Sequence, residues 1–258
     1  MDKPKILVIG MGVVGTNVTR SLITGLNIAE SPFSVHIYDK YIEDFQKNEH
    51  LHYDVAFICV DTPATEDTPC DLTEVYSALA EHDADVFVLK STVLPGTTDL
   101  LREASGQPII FSPEYEGSTQ HCNNFDFDYT ILGGNKQDCI KVVQLLQKVN
   151  DGRHQFRITD AKTAELAKYM ENCYLATKVS FCNQFYDIAQ QEGVSYEDLR
   201  ELFIMDPRVN PSHTFVYKDQ PYWDSHCLNK DVAALAEKYD AELIKDIIAF
   251  NEKRKPQK

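Results

Sequence analysis

The stretch Ile6-Leu7-Val8-Ile9-Gly10-Met11-Gly12-Val13-Val14-Gly15-Thr16 decides the fold of this chain. An apolar run of strand character leads into three glycines spaced as Gly-x-Gly-x-x-Gly, and a helical pattern follows over residues 16–23. Glycines at this spacing make the strand-to-helix turn, admit a pyrophosphate to the backbone and let the helix pack closely. Because a helix N-terminus attracts anions, the motif predicts a dinucleotide site formed by Gly10, Gly12, Val13, Val14 and Gly15.

An acidic residue closes the next strand-like segment. Asp39 stands directly after residues 34–38, close to the spacing of about 20 residues at which dinucleotide-binding folds place this acid. A carboxylate there accepts a hydrogen bond from a ribose 2′-hydroxyl and repels a 2′-phosphate. The two features together predict NAD as the cofactor, in preference to NADP. The alternative is a tight strand-to-helix turn that holds no ligand.

Further apolar, β-branched runs predict a parallel sheet. They alternate with helix-like stretches and occupy residues 5–9, 34–38, 55–60, 86–89, 108–111 and 129–132. Continuous apolar runs are typical of strands that are covered on both faces. We expect an α/β protein, with an N-terminal Rossmann-like doubly wound parallel sheet over residues 1–152 and a helical domain over residues 153–258.

The helical part is built on one long segment. No glycine or proline occurs between Gly152 and Gly193, and apolar residues fall on nearly every side of the predicted helix over residues 160–191. A helix of that character must be buried, within its own domain or against a second chain. Shorter helices are predicted over residues 196–203 and 230–249.

Composition excludes several classes of protein. The 258 residues contain 25 Lys plus Arg and 40 Asp plus Glu, for a formal net charge of −15, which opposes binding to nucleic-acid phosphates or anionic lipid. No apolar run approaches the about 18 residues of a membrane helix, and the first residues lack a secretion signal. We therefore expect a cytoplasmic protein without nucleic-acid or membrane partners. Seven cysteines without a Cys-x-x-Cys pair predict free thiols and no metal site.

Two later strand ends add hydroxyl groups where a doubly wound sheet binds ligands. They are residues 60–63, with Thr62, and residues 90–98, with Thr92. These hydroxyls are candidates for contact with a nicotinamide ribose or a substrate. Turn and helix-cap chemistry accounts for the same residues, so both interpretations stay open.

Eight segments along the chain stand in a recognisable order. They are the glycine motif, Val60-Asp61-Thr62-Pro63, Asp71-Leu72, Ser91-Thr92-Val93 with Gly96-Thr97-Thr98, Ser112-Pro113-Glu114, Glu165-Leu166-Ala167-Lys168-Tyr169 with Asn172, Asp206-Pro207-Arg208, and Cys227-Leu228 with Lys230-Asp231. In these segments the chain resembles the UDP-glucose/GDP-mannose dehydrogenase family over nearly its whole length. The resemblance implies oxidation of a nucleotide-sugar primary alcohol to a carboxylate by NAD, through a thiohemiacetal and a thioester on a cysteine.

The resemblance also implies roles for individual residues. Cys227 is the implied nucleophile, and Asp231 orders a water. Lys168 and Asn172, one helical turn apart, offer an ammonium and an amide to the oxyanion and the substrate. The other implied residues are catalytic Thr92 and Glu114, Glu116 at the cofactor or as an alternative general base, and Arg208 and Lys230 at the substrate. A homodimer through the long helix is implied as well.

Three departures from the family's pattern bear on the substrate. The acidic segment around Glu116 is shorter, and the family's glycine-rich loop before the nucleophile is replaced by residues 221–226, whose Tyr222 and Trp223 are candidates for stacking on a ring. The chain stops soon after Asp231, so we expect the family's third, C-terminal nucleotide-sugar-binding domain to be missing. Two alternatives follow: an NAD-dependent dehydrogenase of a smaller hydroxy substrate without covalent catalysis, and a degenerate NAD-binding module.

Overall fold

The apolar runs of the first half form a central sheet in a computed structural model, which describes residues 2–23, 31–46, 51–115 and 127–256. Its strands are β1 (Lys5–Ile9), β2 (Ser34–Tyr38), β4 (Val55–Ile58), β6 (Phe87–Leu89), β7 (Ile109–Phe111), β8 (Tyr129–Gly133) and β9 (Gln155–Thr159). Their order is β2-β1-β4-β6-β7-β8-β9, and the strands β3 (His52–Tyr53) and β5 (Asp83–Ala84) pair separately. Neighbouring strands run parallel except β7 and β8, which are antiparallel.

Helices cover this sheet on both faces. On one face α1 (Val13–Ile23) and α4 (Lys136–Leu146) contribute Val18, Leu22, Val142 and other residues to one apolar cluster. On the other face α2 (Thr73–Glu81) and α3 (Thr97–Ser105) contribute to a second cluster. Because the strands are buried from both sides, their continuous apolar character is explained. The predicted Rossmann-like doubly wound fold class is confirmed.

The strand order places a ligand crevice at one point of the sheet. β1 pairs with β2 on one side and with β4 on the other, so the chain winds outward in opposite directions from the β1–β4 neighbours. Open α/β sheets bind ligands beyond the carboxyl ends of the strands at this reversal. The glycine motif follows β1, and residues 60–63 follow β4, so both lie at that edge.

One strand of the sheet escaped the sequence pattern. β9 (Gln155–Thr159) is a half-exposed edge strand that contains Gln155 and Arg157, so it lacks the apolar continuity of the inner strands. The predicted boundary after residue 152 falls between α4 and β9. The chain divides into two compact units, Met1–Lys168 and Tyr169–Lys258, and the boundary at 152 stays a prediction.

The second unit is helical. It contains most of α5 (Ala161–Glu192), then α6 (Tyr196–Phe203), α7 (His226–Tyr239) and α8 (Glu242–Glu252). The single helix predicted over residues 230–249 is wrong, because Asp240 adopts a left-handed backbone with φ of 50° and ends α7. Neither glycine nor proline marks this break in the sequence. Within the described residues, no helix is long and apolar enough to cross a membrane.

The covering of α5 differs between its two sides. One side is buried and includes Cys173, Ala176 and Cys182. The other side exposes large apolar residues, which are Met170, Tyr174, Phe181, Phe185 and Ile188. Within one copy of the chain, the expected complete burial of this helix is therefore not reached.

A buried carboxylate from α5 caps α3. The residue before α3 is Gly96, which has no side chain to cap with. Glu165 is fully buried and takes over this function: its Oε2 accepts from the Gly96 amide at 2.5 Å, and its Oε1 accepts from the Thr98 amide at 2.8 Å and the Thr98 hydroxyl at 2.6 Å. Burial raises the pKa of Glu165, while the hydrogen bonds from Thr98 and Gly96 oppose that rise.

Replacing this cap should be costly. We expect Glu165→Ala to lower the free energy of unfolding by about 3 kcal/mol, because three buried donors lose their acceptor. Asp160→Ala is the matched control, since the exposed Asp160 carboxylate caps the first turn of α5 through the Thr163 amide at 2.8 Å. Its expected cost is about 1 kcal/mol. Urea unfolding followed by circular dichroism measures both, and equal losses would contradict the buried-cap interpretation.

Candidate functional site

Two of the three motif glycines are required by the protein's own packing. Gly10 adopts a φ of +88°, and a Cβ there would lie 2.8 Å from the Cys59 carbonyl oxygen. A Cβ on Gly15 would lie 1.8 Å from the carbonyl oxygen of Gly10. These contacts bring the first turn of α1 against the end of β1 and its neighbour, which is the close packing that the motif predicts.

At Gly12, no steric contact within the described protein requires a glycine. A Cβ built on Gly12 meets no atom within 4 Å, so a side chain would fit as far as the protein is concerned. The space over Gly12 adjoins the N-terminus of α1, where the amides of Val13, Val14 and Gly15 belong to the first turn and lack helical acceptors. An anion that approaches the backbone closely fits this surface. The loop therefore fits the pyrophosphate of a dinucleotide.

Asp39 is tied to the glycine loop. Its Oδ2 accepts from the Met11 amide at 2.7 Å, and its Oδ1 accepts from the Tyr41 amide at 2.8 Å. A carboxylate offers about four acceptor positions, so two remain for a ligand such as a ribose hydroxyl. The residue thus stabilises the loop and stays able to accept from a cofactor.

The hydroxyl groups at the strand ends bind the protein's own backbone. The Thr62 hydroxyl donates to the Thr92 carbonyl at 2.8 Å, and the Ser91 hydroxyl donates to the Val60 carbonyl at 2.6 Å. These bonds join the ends of the adjacent strands β4 and β6. Because the Thr62 proton is used in this way, Thr62 can offer a ligand its oxygen lone pairs and no proton. Thr92 is half-buried at the same edge.

Glu114 and Lys168 each contact Tyr115, the first at its backbone amide and the second over its ring. Glu114 Oε1 accepts from the Tyr115 amide at 2.9 Å, and its Oε2 lies 3.4 Å from Nζ of Lys90. The Lys168 side chain is buried, and its Nζ lies 4.8 Å from the centroid of the Tyr115 ring. The first unit therefore brings a paired carboxylate and a buried ammonium to neighbouring residues. Glu116 lies outside the described residues.

A second polar group is buried in the helical unit. Asn172 and Asp231 are both almost fully buried, and Asn172 Nδ2 donates to Asp231 Oδ2 at 2.6 Å. Lys230 Nζ lies 2.8 Å from Asp231 Oδ1, but not at a hydrogen-bonding angle. At that distance the ammonium and the buried carboxylate form an ion pair, so Asp231 is held by Asn172 at Oδ2 and by Lys230 at Oδ1.

Cys227 lies in the first turn of α7, one helical turn before Asp231. Ser225 caps this helix by accepting from the Leu228 amide at 3.2 Å, so the start of α7 is fixed just before the thiol. Of the cysteines in the described ranges, Cys227 is exposed and the other five are buried. Burial raises the pKa of the Cys59 thiol to about 12 and those of Cys139 and Cys173 to about 11. Such thiols are poor nucleophiles at neutral pH, which leaves Cys227 as the accessible candidate in the described part of the chain.

Two other predicted substrate contacts have local partners. Arg208 is exposed and chelates Asp206, with Nε 3.0 Å from Oδ1 and Nη2 2.6 Å from Oδ2. Trp223 is buried, with its indole N–H donating to the Ser180 hydroxyl at 3.0 Å. Trp223 belongs to an apolar cluster and is only 6% exposed, so it offers little surface for stacking on a substrate ring, and the stacking stays a prediction.

Two contributors to the site were missed at the sequence level. Glu165, which caps α3, stands among the motif residues without an assigned role. The pairing of Asn172 with Asp231 joins residues 59 positions apart, and nothing in their local sequences indicates it. One feature of the sequence could have indicated both: Glu165 and Asn172 are polar residues in a helix that is otherwise largely apolar.

Comparison with known proteins identifies two family domains in the chain. Residues 9–150 match the NAD binding domain of the UDP-glucose/GDP-mannose dehydrogenase family, and residues 162–253 match its central domain. The chain is 26% identical over 277 residues to UDP-glucose 6-dehydrogenase of Rickettsia prowazekii, covering 95% of this chain and 63% of the relative. It is 28% identical over 220 residues to UDP-N-acetyl-D-mannosamine dehydrogenase of Methanocaldococcus jannaschii, covering 77% of this chain and 48% of the relative.

A solved structure shows the same fold. A UDP-glucose dehydrogenase from Pyrobaculum islandicum superposes with a TM-score of 0.78 at 22% identity, covering 97% of this chain and 68% of that one. The chain thus spans about half to two thirds of the length of these proteins. The cofactor indicated by the matched N-terminal domain is NAD. Since the two family domains together account for most of its residues, in their usual order, the chain belongs to the UDP-glucose/GDP-mannose dehydrogenase family.

Proposed function

We propose that the protein oxidises the primary alcohol of a nucleotide sugar to a carboxylate, with UDP-glucose as the first candidate substrate. The observation that carries the proposal is the exposed Cys227 one helical turn before the buried Asp231, in a family of NAD-dependent nucleotide-sugar dehydrogenases. Relatives named for UDP-glucose and for UDP-N-acetyl-D-mannosamine make both sugars candidates.

The cofactor supplies the hydride acceptor for both oxidation steps. The chain's part is to hold its pyrophosphate over Gly12 and its adenosine ribose near Asp39. Oxidation of the alcohol also releases the hydroxyl proton to solvent, and it needs a group that stabilises the negative charge that develops on the oxygen. We assign this to Lys168 and Asn172, whose ammonium and amide donate toward a developing alkoxide. The Lys168 side chain is buried, and burial strengthens the attraction between its ammonium and an alkoxide because the local dielectric constant is low.

Cys227 carries the second half of the reaction. Its thiolate adds to the aldehyde carbon, which forms the carbon–sulfur bond of a thiohemiacetal and places negative charge on the former carbonyl oxygen. Loss of a hydride from that carbon gives a thioester. Water then attacks the thioester, the carbon–sulfur bond breaks, and the thiol is restored with release of the carboxylate. As the family resemblance implies, we assign the ordering of this water to Asp231 and the removal of its proton to Glu114.

Lys230 and Arg208 complete the proposed substrate contacts. Lys230 is held beside Asp231, with its side chain only 11% exposed. Arg208 is 87% exposed at its side chain while it chelates Asp206, so a phosphate has access to its guanidinium from solvent. Both guanidinium and ammonium groups are suited to the diphosphate of a nucleotide sugar.

We also propose a homodimer through α5. Met170, Tyr174, Phe181, Phe185 and Ile188 recur at spacings of three, four and seven residues, which places them along one side of the helix. Met170 is 74% exposed and Tyr174 is 61% exposed, so this stripe is uncovered in the single chain. Contiguous apolar surface of this kind is typical of protein interfaces. A second copy, which presents the same stripe, would cover it symmetrically.

The cofactor assignment predicts a preference that depends on Asp39. NAD should bind more tightly than NADP, because the Asp39 carboxylate repels a 2′-phosphate. Asp39→Asn keeps the size of the side chain and one of its two backbone contacts, from Met11 or Tyr41, while it removes the charge. It should therefore reduce the preference at least tenfold, or about 1.4 kcal/mol. Calorimetric titration of both cofactors measures this. Equal affinities in the unmodified protein would contradict the assignment.

The covalent mechanism predicts separable steps. In Cys227→Ser, alcohol oxidation should continue slowly, while aldehyde oxidation should fall by at least about 10³-fold, because a serine alkoxide forms less readily than a thiolate at neutral pH. The first measurement is the number of NADH molecules formed per molecule of product, with UDP-sugars and GDP-sugars as substrates. In the second, the unmodified enzyme is quenched during turnover and analysed by mass spectrometry. An acyl adduct should appear on Cys227.

Other outcomes of that experiment are equally informative. Glu237→Ala on the exposed side of the same helix serves as control and should keep both steps. Full two-step activity in Cys227→Ser, or an adduct on another cysteine, would refute the covalent mechanism. Oxidation of a small hydroxy acid, with no activity on any nucleotide sugar, would favour a dehydrogenase without covalent catalysis.

The dimer predicts a concentration-dependent mass. Sedimentation at micromolar concentration should give a dimer for the unmodified chain and a monomer for Tyr174→Glu combined with Phe181→Glu, because two buried charges would face each other across the interface. Leu243→Glu is the control: Leu243 is 65% exposed on α8, outside the stripe, and its replacement should leave the dimer intact. A monomeric unmodified chain would overturn the proposal.

A further inference from the structure

The segment that leads into α7 is held by an asparagine from the last turn of α8. Residues 221–225 form neither helix nor strand. Within them, the Trp223 amide donates to Asn251 Oδ1 at 2.9 Å, and Asn251 Nδ2 donates to the Trp223 carbonyl at 2.9 Å. Asn251 is only 1% exposed. Its side-chain amide thus pairs with both backbone groups of one residue, as a neighbouring strand would.

Further contacts fix the same segment. The Trp223 indole donates to the Ser180 hydroxyl of α5, and Arg254 Nε donates to the Pro221 carbonyl at 2.6 Å. Arg254 is itself held by a paired contact with Asp187 of α5. Backbone groups that cannot pair within a regular element need such partners when they are buried. The conformation of residues 221–225 therefore depends on side chains from α5 and from the end of the described chain.

This segment determines where α7 begins. Two residues after Trp223, Ser225 caps the helix, and two residues later Cys227 lies in its first turn. A shift of the Trp223 backbone would move the capping residue and the thiol with it, because only Asp224 separates Trp223 from the cap. Displacement of a reacting group by about 1 Å is enough to cost about 10²-fold in rate.

We infer that Asn251 is a positioning residue for Cys227: by its paired hydrogen bonds to the Trp223 backbone it fixes the start of α7 and so the place of the thiol. The inference rests on the proposed function for what the thiol does. The position of the thiol, however, can be measured without any assumption about its chemistry. The positioning role of Asn251 and the proposed function can therefore be tested separately.

Two substitutions at Asn251 remove one or both of its hydrogen bonds to the Trp223 backbone. Asn251→Asp keeps the size and the acceptor for the Trp223 amide but loses the donor to the Trp223 carbonyl. Asn251→Leu is of similar size and loses both hydrogen bonds. Tyr196→Phe is the matched control, because it removes a buried hydrogen bond of the same unit, from the Tyr196 hydroxyl to the Thr214 carbonyl at 2.8 Å, without touching residues 221–225.

Position is measured first, without turnover. Trp223 is the single tryptophan of the chain, so its emission reports this segment alone. A fluorophore maleimide on Cys227, with the labelled Cys227→Ser protein as the blank, reports the freedom of the thiol through its anisotropy. Both Asn251 variants should show red-shifted tryptophan emission and lower label anisotropy, with the larger change in Asn251→Leu. Tyr196→Phe should match the unmodified protein in both.

Turnover is measured second, on the unlabelled proteins. The kcat of aldehyde oxidation should fall by about 10²-fold in Asn251→Leu and by less in Asn251→Asp, while the KM for NAD stays unchanged. A uniform loss of structure would lower NAD affinity as well and would appear in Tyr196→Phe. If Asn251→Leu does not fold, Asn251→Asp carries the test.

The outcomes separate the two proposals. Unchanged emission and anisotropy in a folded Asn251→Asp protein would overturn the positioning role, whatever the activity. Changed emission and anisotropy with unchanged aldehyde oxidation would also overturn it, because the thiol would then need no fixed place. Full two-step activity of Cys227→Ser would instead refute the nucleophile, while the fluorescence results would still decide whether Asn251 holds the segment.

Discussion

Three polar side chains that α5 buries each have a specific hydrogen-bonding partner, and these pairings organise much of the molecule. Glu165 finds the uncapped start of α3, Asn172 finds Asp231 on α7, and Ser180 finds the Trp223 indole. A buried polar group without such a bond would cost more than the bond itself gains. The sequence of the long helix therefore specifies which loops and helix ends may lie against it, in addition to supplying apolar contacts.

The two halves of the proposed chemistry depend on different kinds of information. The cofactor loop is contained in one stretch of chain. Gly10 is required by its close contact with Cys59, and Gly15 by its close contact with Gly10. Gly12 leaves space for a ligand. The thiol depends on residues that are distant in sequence. Asp231 is oriented by Asn172, and the segment before Cys227 is held from α8. A protein can thus retain the first half while small changes in the helical unit remove the second.

This difference accounts for what the sequence could predict. β1 was predicted to the residue because a buried parallel strand has a continuous apolar run. β2 was also predicted to the residue, since this half-buried edge strand keeps the β-branched Val35 and Ile37. α6 was predicted because Ser195 and two flanking irregular segments delimit it. β9 was missed because an edge strand may be polar. The break at Asp240 has no glycine or proline to mark it, and the burial of Trp223 follows from Ser180 and Asn251, which no local pattern connects to it.

The cap that Glu165 provides also bears on the order in which the chain acquires its structure. Asn135, Ser195 and Ser225 cap their helices from adjacent positions, so those caps form together with the helices. The cap of α3 joins residues 67 to 69 positions apart. During synthesis, α3 therefore emerges with an unsatisfied first turn and gains its full stability only once the first turns of α5 have followed. Because contacts of long sequence separation cost more chain entropy to form, we expect the cap of α3 to form later than the caps that lie next to their own helices.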